Sequence, residues 1–567
     1  MNFRAQPACA PKRCTNQSLF KATPPRGRER GVAVPFTIES YKPGLLGRKL
    51  GRLSHGKNGK LTGKPQVKFL EKHLASLVCK SVLTEPDYLD RSFVEDYAAY
   101  YVRCFEPYKH VCTRLHFFKE DLDEETISKA IVADDAALLQ SVYLGFIVVK
   151  PLPATIIGRT CLSPVEAPDE SRHYPTNYPQ PVDLYGLKLS VDTLPFQEQD
   201  REVAACASSA LWTMLHNTSR LFQHAMPSPV EITKAATMHA RVNGRTFPNG
   251  DGLNTLQIAD AIRSVGLEPF VFAVSSMPRL AVPVEAFAEA SMPTVKEADQ
   301  AAHEAKMRLV LKLSALAYLR LGISLVLLGR TLDEVDGLEE TRGNHAVAIT
   351  GYSLSEGMPD EGYGTSGTRF TAARLDRLFV HDDQTGPFAT FSFDEGNRLI
   401  ANDFEATGVE RRFAEPINLV VPLYHKIRIP LQQVVDVTVA LDEALDGMRE
   451  PLGLKDRLEW DVELISLEAL RDDFARSPFD PAVKLALLTL PMPRFIWRLR
   501  GLYQDKRVFD LLLDATDLLQ GPLVRHVVPY DVTLCQHIGL LLSLSENIFH
   551  DTLGPTIRAF KASQTTP

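Results

Sequence analysis

Cys206 lies in the run Phe196-Gln197-Glu198-Gln199-Asp200-Arg201-Glu202-Val203-Ala204-Ala205-Cys206-Ala207-Ser208-Ser209-Ala210-Leu211-Trp212, where a polar, acidic stretch gives way to helical spacing. The pattern predicts a helix over 205–222, barred from continuing by Pro227 and Pro229. A thiol reacts as its thiolate, and the unpaired N–H groups at a helix start favour negative charge. Small residues flank Cys206 on both sides, which leaves room for a carbonyl to approach. The backbone N–H of the nucleophile supplies one donor to an oxyanion, and the side-chain amide of Gln199 or Gln197 supplies a second. A lone cysteine on a helix is ordinarily a small, inert core residue. The chemistry therefore depends on what accompanies it.

His345 follows in Gly343-Asn344-His345-Ala346-Val347-Ala348-Ile349-Thr350-Gly351-Tyr352, at the mouth of an apolar strand. A histidine held there beside a helix start acts as general base and then as general acid toward the leaving group. A carboxylate must fix its tautomer. Asp382, in Phe379-Val380-His381-Asp382-Asp383-Gln384-Thr385-Gly386, ends the next strand, and Asp383 is the alternative. Strand alternation would turn one of the two away.

In the order Cys, His, Asp the chain resembles the papain-like cysteine peptidase superfamily, and most of all its bacteriocin-processing branch. That branch has a glutamine ahead of a cysteine-led helix, here Gln199 and Cys206. It has a glycine-led helix ending in Gly-Leu, here Gly252 through Leu256 to Gly266-Leu267. It also has an H-x-V-x-I-x-G-Y strand, here His345 to Tyr352, and a D-P-x-x-G strand end, here Asp382 to Gly386 with Asp383 in place of proline. The likeness covers about 230 residues, one domain's worth. It implies a papain-like core and a cysteine peptidase that cuts a peptide bond through a Cys206–His345–Asp382 triad and an acyl thioester. Gln199 would line the oxyanion site. Transglutaminase, amidase or acyltransferase chemistry shares the same order, and an inactive binding scaffold is a further reading.

Other chemistries lack their signatures. The chain has no G-x-x-x-x-G-K-[ST] loop, no H-E-x-x-H and no G-x-S-x-G elbow. His216, His224 and His239 share no helical face, so no zinc site is expected among them. Neither a metal nor a cofactor is expected.

The elements that must position these residues make an α+β chain of 567 residues. Residues 1–65 read as a basic arm with too little apolar content to fold alone. Residues 1–64 carry 14 Lys and Arg against Glu29 and Glu39, a balance of +12 within a chain of net charge −7. Such an arm suits nucleic acid or an acidic partner. Residues 66–190 form a mixed α/β module with helices near 69–78 and 93–102 and a strand at 143–150. Residues 191–425 form the cysteine hydrolase domain, with helices first and strands after. Residues 426–567 form a C-terminal α+β region with strands at 435–439 and 495–497 and a helix over 507–519. Eight cysteines without a C-x-x-C pair point to a reducing, cytoplasmic setting, and the family resemblance implies a bacterial one. No apolar run suits a membrane span or a signal peptide. The expected partner is a protein or peptide substrate, and 355–368 is a glycine- and proline-rich loop that could cover the site.

Overall fold

The computed structural model describes residues 35–563, apart from 57–58, 167–170, 201, 204, 238–251, 275–296, 358–361, 364–366, 395–397, 518–522 and 545. It is a mixed α+β chain with three main sheets. The first sheet is an antiparallel meander in chain order: Thr37–Ser40, Ser81–Tyr88, Cys112–Phe118, Tyr143–Val149 and Ile157–Leu162. Several of the helices between its strands start on short acidic side chains. Asp90 caps Arg91–Ala99 and Asp123 caps Glu124–Ala133, each accepting from a backbone N–H three residues on.

The basic arm is shorter than its composition suggests. Residues 1–34 lie outside the described residues, whereas Thr37–Ser40 is the edge strand of the first sheet and Leu45–Leu53 is a helix. Leu45, Leu46 and Leu50 bury one face of that helix while Arg48 and Arg52 stay exposed and Lys49 donates to Thr84 at 2.8 Å. Amphipathic spacing inside a basic stretch, invisible to net charge, is what folds it.

The second sheet closes on itself. Strands Leu325–Val335, Leu338–Leu354, Leu375–Asp382, Gly386–Phe393, Leu399–Ala401 and Arg411–Tyr424 pair in turn, and the last pairs back onto the first with Val326 opposite Val420. This barrel leaves few free edges. Leu267–Ala273 extends it beside Arg411–Tyr424, and Arg172–His173 pairs against Tyr352 and Ser353. The backbone of His173 comes so close that a Cβ at Gly351 would lie 2.5 Å from its carbonyl oxygen, which requires glycine there. Helices Cys206–Phe222, Pro229–Thr237, Thr255–Ser264 and Glu297–Leu319 accompany this sheet.

The third sheet orders Arg369–Phe370, Glu459–Ser466, Phe495–Tyr503, Lys506–Asp514 and Val524–Pro529. One apolar core runs without a break from Ala207 to Phe560, crossing position 425. Two expectations fail in this region. Residues 435–439 belong to a helix, Leu431–Asp446, because Val434, Val435, Thr438, Leu441 and Leu445 recur at helical spacing and are buried. Residues 507–514 form a strand rather than a helix. Gln504 and Asp505 both adopt positive φ and make a tight hairpin turn that pairs Lys506–Asp514 with Phe495–Tyr503. Among the described residues no helix is long and apolar enough to cross a membrane.

Candidate active site

Cys206 is the first residue of helix Cys206–Phe222, and the capping residue Ala205 offers no side-chain cap. The N–H groups of the first turn are thus left to water or to a ligand, which suits a developing anion. The approach to the helix is tied down. Asp200 accepts from the N–H groups of Glu202 and Val203 at 3.1 and 2.8 Å and from the Tyr101 hydroxyl at 2.8 Å. Glu198 pairs with Lys64 and accepts from the Ile157 N–H at 3.3 Å. Gln199 sits half-buried between these two anchored carboxylates, and Gln197 is buried. Among the described residues no hydrogen bond joins either glutamine to Cys206 or His345.

The barrel brings His345 and Asp382 together by register. Ala348 faces His381 across the antiparallel pair, so the strand ends meet with His345 beside residues 382–384. His345 Nε2 and Asp382 Oδ1 lie 2.8 Å apart. The Gln384 N–H donates to the same Asp382 oxygen at 2.9 Å, and the Thr385 hydroxyl donates to Oδ2 at 2.9 Å. Burial alone would raise the Asp382 pKa. The charge and hydrogen bond of His345, joined by these two donors, hold it below the usual carboxylate range.

Burial also opposes a charge on His345, but Asp382 overcomes it. With help from Cys206 and Asp383, it places the imidazole well above its ordinary pKa. The Cys206 thiol is thus near enough to His345 to favour its charged form. With Nε2 given to Asp382, Nδ1 is the ring nitrogen left for other partners. Three of the four residues singled out in the sequence are brought together here, each from a different element.

Asp383 is close without taking part in the same way. Its Oδ1 lies 3.6 Å from His345 Nε2, and both carboxylate oxygens are buried without a hydrogen-bond partner. Burial, with Asp382 and Glu198 nearby, pushes its pKa up to about 7. His345, Asp382 and Asp383 bring possible ligand atoms within 4.8 Å of one another. The 2.8 Å contact between Nε2 and Asp382 assigns that space to a shared proton, and an ion would have to break it.

The sequence reading missed a second glutamine. Gln384 Nε2 lies 3.3 Å from His345 Nδ1, and its Oε1 accepts from Arg412 at 2.8 Å. Arg412 is gripped by both oxygens of Asp333 at 2.6 and 2.8 Å and covers the Phe404 ring. The only signal was adjacency to Asp382.

The first region braces this loop. From helix Pro65–Ser76, the Gln66 side chain donates to the Asp383 carbonyl at 2.9 Å, Phe69 packs on Gly386, and His73 stacks on Phe388. A cavity of about 930 Å³ lies elsewhere, near Phe222 at the far end of the cysteine helix, with Arg320, Arg498 and Arg500 in its wall. All three arginines are already paired, among Asp461, Glu463 and Asp473.

Compared with protein-family models, with curated proteins and with solved structures, the chain shows no significant match.

Proposed function

We propose that this chain is a cysteine hydrolase with a papain-like core, acting on the carbonyl of a peptide bond. One observation carries the reading: a thiol at an uncapped helix start lies beside an imidazole whose Nε2 is held by a buried carboxylate. In this reading the Cys206 proton passes to His345 Nδ1, and sulfur bonds to the carbonyl carbon. The carbonyl electrons move to oxygen, beside the Cys206 N–H and the Gln199 amide. The C–N bond then breaks, the departing amine takes the proton from His345, and a thioester remains. Water, deprotonated by His345, releases the acid and restores the thiol.

Four of the five other described thiols support selective chemistry at Cys206. Burial pushes Cys79, Cys161 and Cys535 up to about 12, and Cys112 is raised by the same cause. All six described cysteines are free, which suits a reducing, cytoplasmic compartment. Cys9 and Cys14 lie outside the described residues.

Iodoacetamide at near-neutral pH tests the reading, with the alkylated residue located by mass spectrometry. Cys206 should be modified first, and Cys206→Ala should remove the fast phase. A fast phase that survives in Cys206→Ala, or an unreactive Cys206 in folded wild type, overturns it. Amine acceptors added to a peptide digest separate hydrolysis from amidase, transglutaminase or acyltransferase chemistry by the mass of the product.

A further inference from the structure

The lone pair on His345 Nδ1 has two claimants. One, in the hydrolase reading, is the Cys206 thiol, whose proton Nδ1 would accept. The other is Gln384, whose Nε2 stands 3.3 Å away. The orientation of that amide is not free. Arg412 can only donate, so the oxygen of Gln384 must face it, and the amide nitrogen must then face His345. Arg412 is itself fixed by its two bonds to Asp333, which is almost fully buried and also takes the Arg342 side chain at 2.8 Å. An N–H aimed at Nδ1 demands a lone pair there, with the ring proton on Nε2 facing Asp382.

We propose that Gln384 is a positioning residue of the catalytic centre: pinned by Arg412, its amide holds His345 as the neutral Nε2–H tautomer and competes with the Cys206 thiol for Nδ1. The inference rests on the hydrolase reading. Gln384 selects the tautomer that can act as base toward Cys206. It also opposes the proton transfer, because a proton on Nδ1 would meet the amide N–H. The thiolate–imidazolium pair therefore forms only when the amide swings off the ring, a movement that a substrate seated over Cys206 would force.

The charged and titratable groups around His345 come from every neighbouring element. Asp382 and Asp383 stand at the end of the neighbouring strand Leu375–Asp382, Cys206 on the helix, and Glu198 with its partner Lys64 on the approach segment and before helix Pro65–Ser76. Arg412 and Asp333 lie behind Gln384 on the barrel strands. Asp382 drives the imidazole toward its charged form, and burial and the Gln384 amide oppose it.

The test follows the rate of Cys206 alkylation by iodoacetamide against pH. In Gln384→Leu, which keeps the bulk and removes the donor, the midpoint should fall by about one pH unit, so alkylation near pH 6 rises about tenfold. Arg412→Met should shift it the same way, because a released amide can turn its oxygen toward a protonated Nδ1. An unmoved or raised midpoint in Gln384→Leu overturns the proposal, as does lowered melting temperature without a shift, the signature of a merely structural role. A second readout is independent of thiol reactivity. In Cys206→Ala protein, nitrogen-15 shifts of His345 followed against pH should show Nδ1 losing its proton at a lower pH than in the Cys206→Ala, Gln384→Leu double variant, and an unchanged or higher midpoint in the presence of Gln384 overturns the proposal. If wild-type Cys206 never reacts, the hydrolase reading fails while the nitrogen-15 measurement still judges Gln384.

Discussion

Asp382 holds His345 through a 2.8 Å contact to Nε2, and the other oxygen of the same carboxylate is held by the Thr385 hydroxyl. The ring orientation thus depends on a carboxylate that cannot rotate away. Asp382→Ala should lower the rate of Cys206 acylation by about 10²–10⁴, the range over which losing a base or its orienting partner is felt. Thr385→Val leaves the carboxylate in place with one donor fewer and should cost far less. Single-turnover acylation with a peptide ester measures both. Equal losses in the two variants would remove Asp382 from its special position.

Asp383 should behave in the opposite sense. Its folded pKa of about 7 lies above the ordinary value near 3.8. Folding therefore binds its proton more tightly, and the group subtracts stability as pH rises from about 4 to about 7. Asp383→Asn should melt higher than wild type at pH 8, with the gap closing toward pH 4, while Cys206 alkylation survives. Melting curves between pH 4 and 8 check this. A variant less stable at pH 8, or one without thiol reactivity, would mean that Asp383 and not Asp382 serves His345.

Gly386 offers a geometric test of the brace. A Cβ there would overlap the ring of Phe69 on helix Pro65–Ser76. Gly386→Ala should displace the 382–386 loop and reduce acylation, and pairing it with Phe69→Ala should restore much of the loss. Steady-state kinetics of the single and double variants decides. If the double variant is no better than Gly386→Ala, the first region does not act on the site through this contact.

What could be read from the sequence followed how local its causes are. The helix at Cys206, the strand carrying His345 and the strand ending at Asp382 are each written in consecutive residues. Their alternation or helical spacing survives folding. Choosing Asp382 over Asp383 was not legible, because it depends on a cross-strand register closed by a barrel. Gln384 and Arg412 were illegible for the same reason, being joined only once Arg411–Tyr424 returns beside Leu325–Val335. The helix at 431–446 was misread because its valines favour strands locally, and burial against the third sheet overrides that preference. The hairpin at 504–505 carries no glycine or asparagine to announce it.

Gln199 remains the residue the sequence placed on pattern alone, and its role is separable by kinetics. It lies between Glu198 and Asp200, whose hydrogen bonds fix the chain on either side of it. If its amide meets the oxyanion, Gln199→Ala should lower the rate of acylation by about 10²–10³ with little change in ground-state binding. Alkylation by iodoacetamide, which passes through no oxyanion, should hardly change. Gln197, buried two residues earlier, should show no such split on substitution by Leu. Equal loss in both reactions would mean that Gln199→Ala has disturbed Cys206 itself. A split at Gln197 and none at Gln199 would reassign the oxyanion donor.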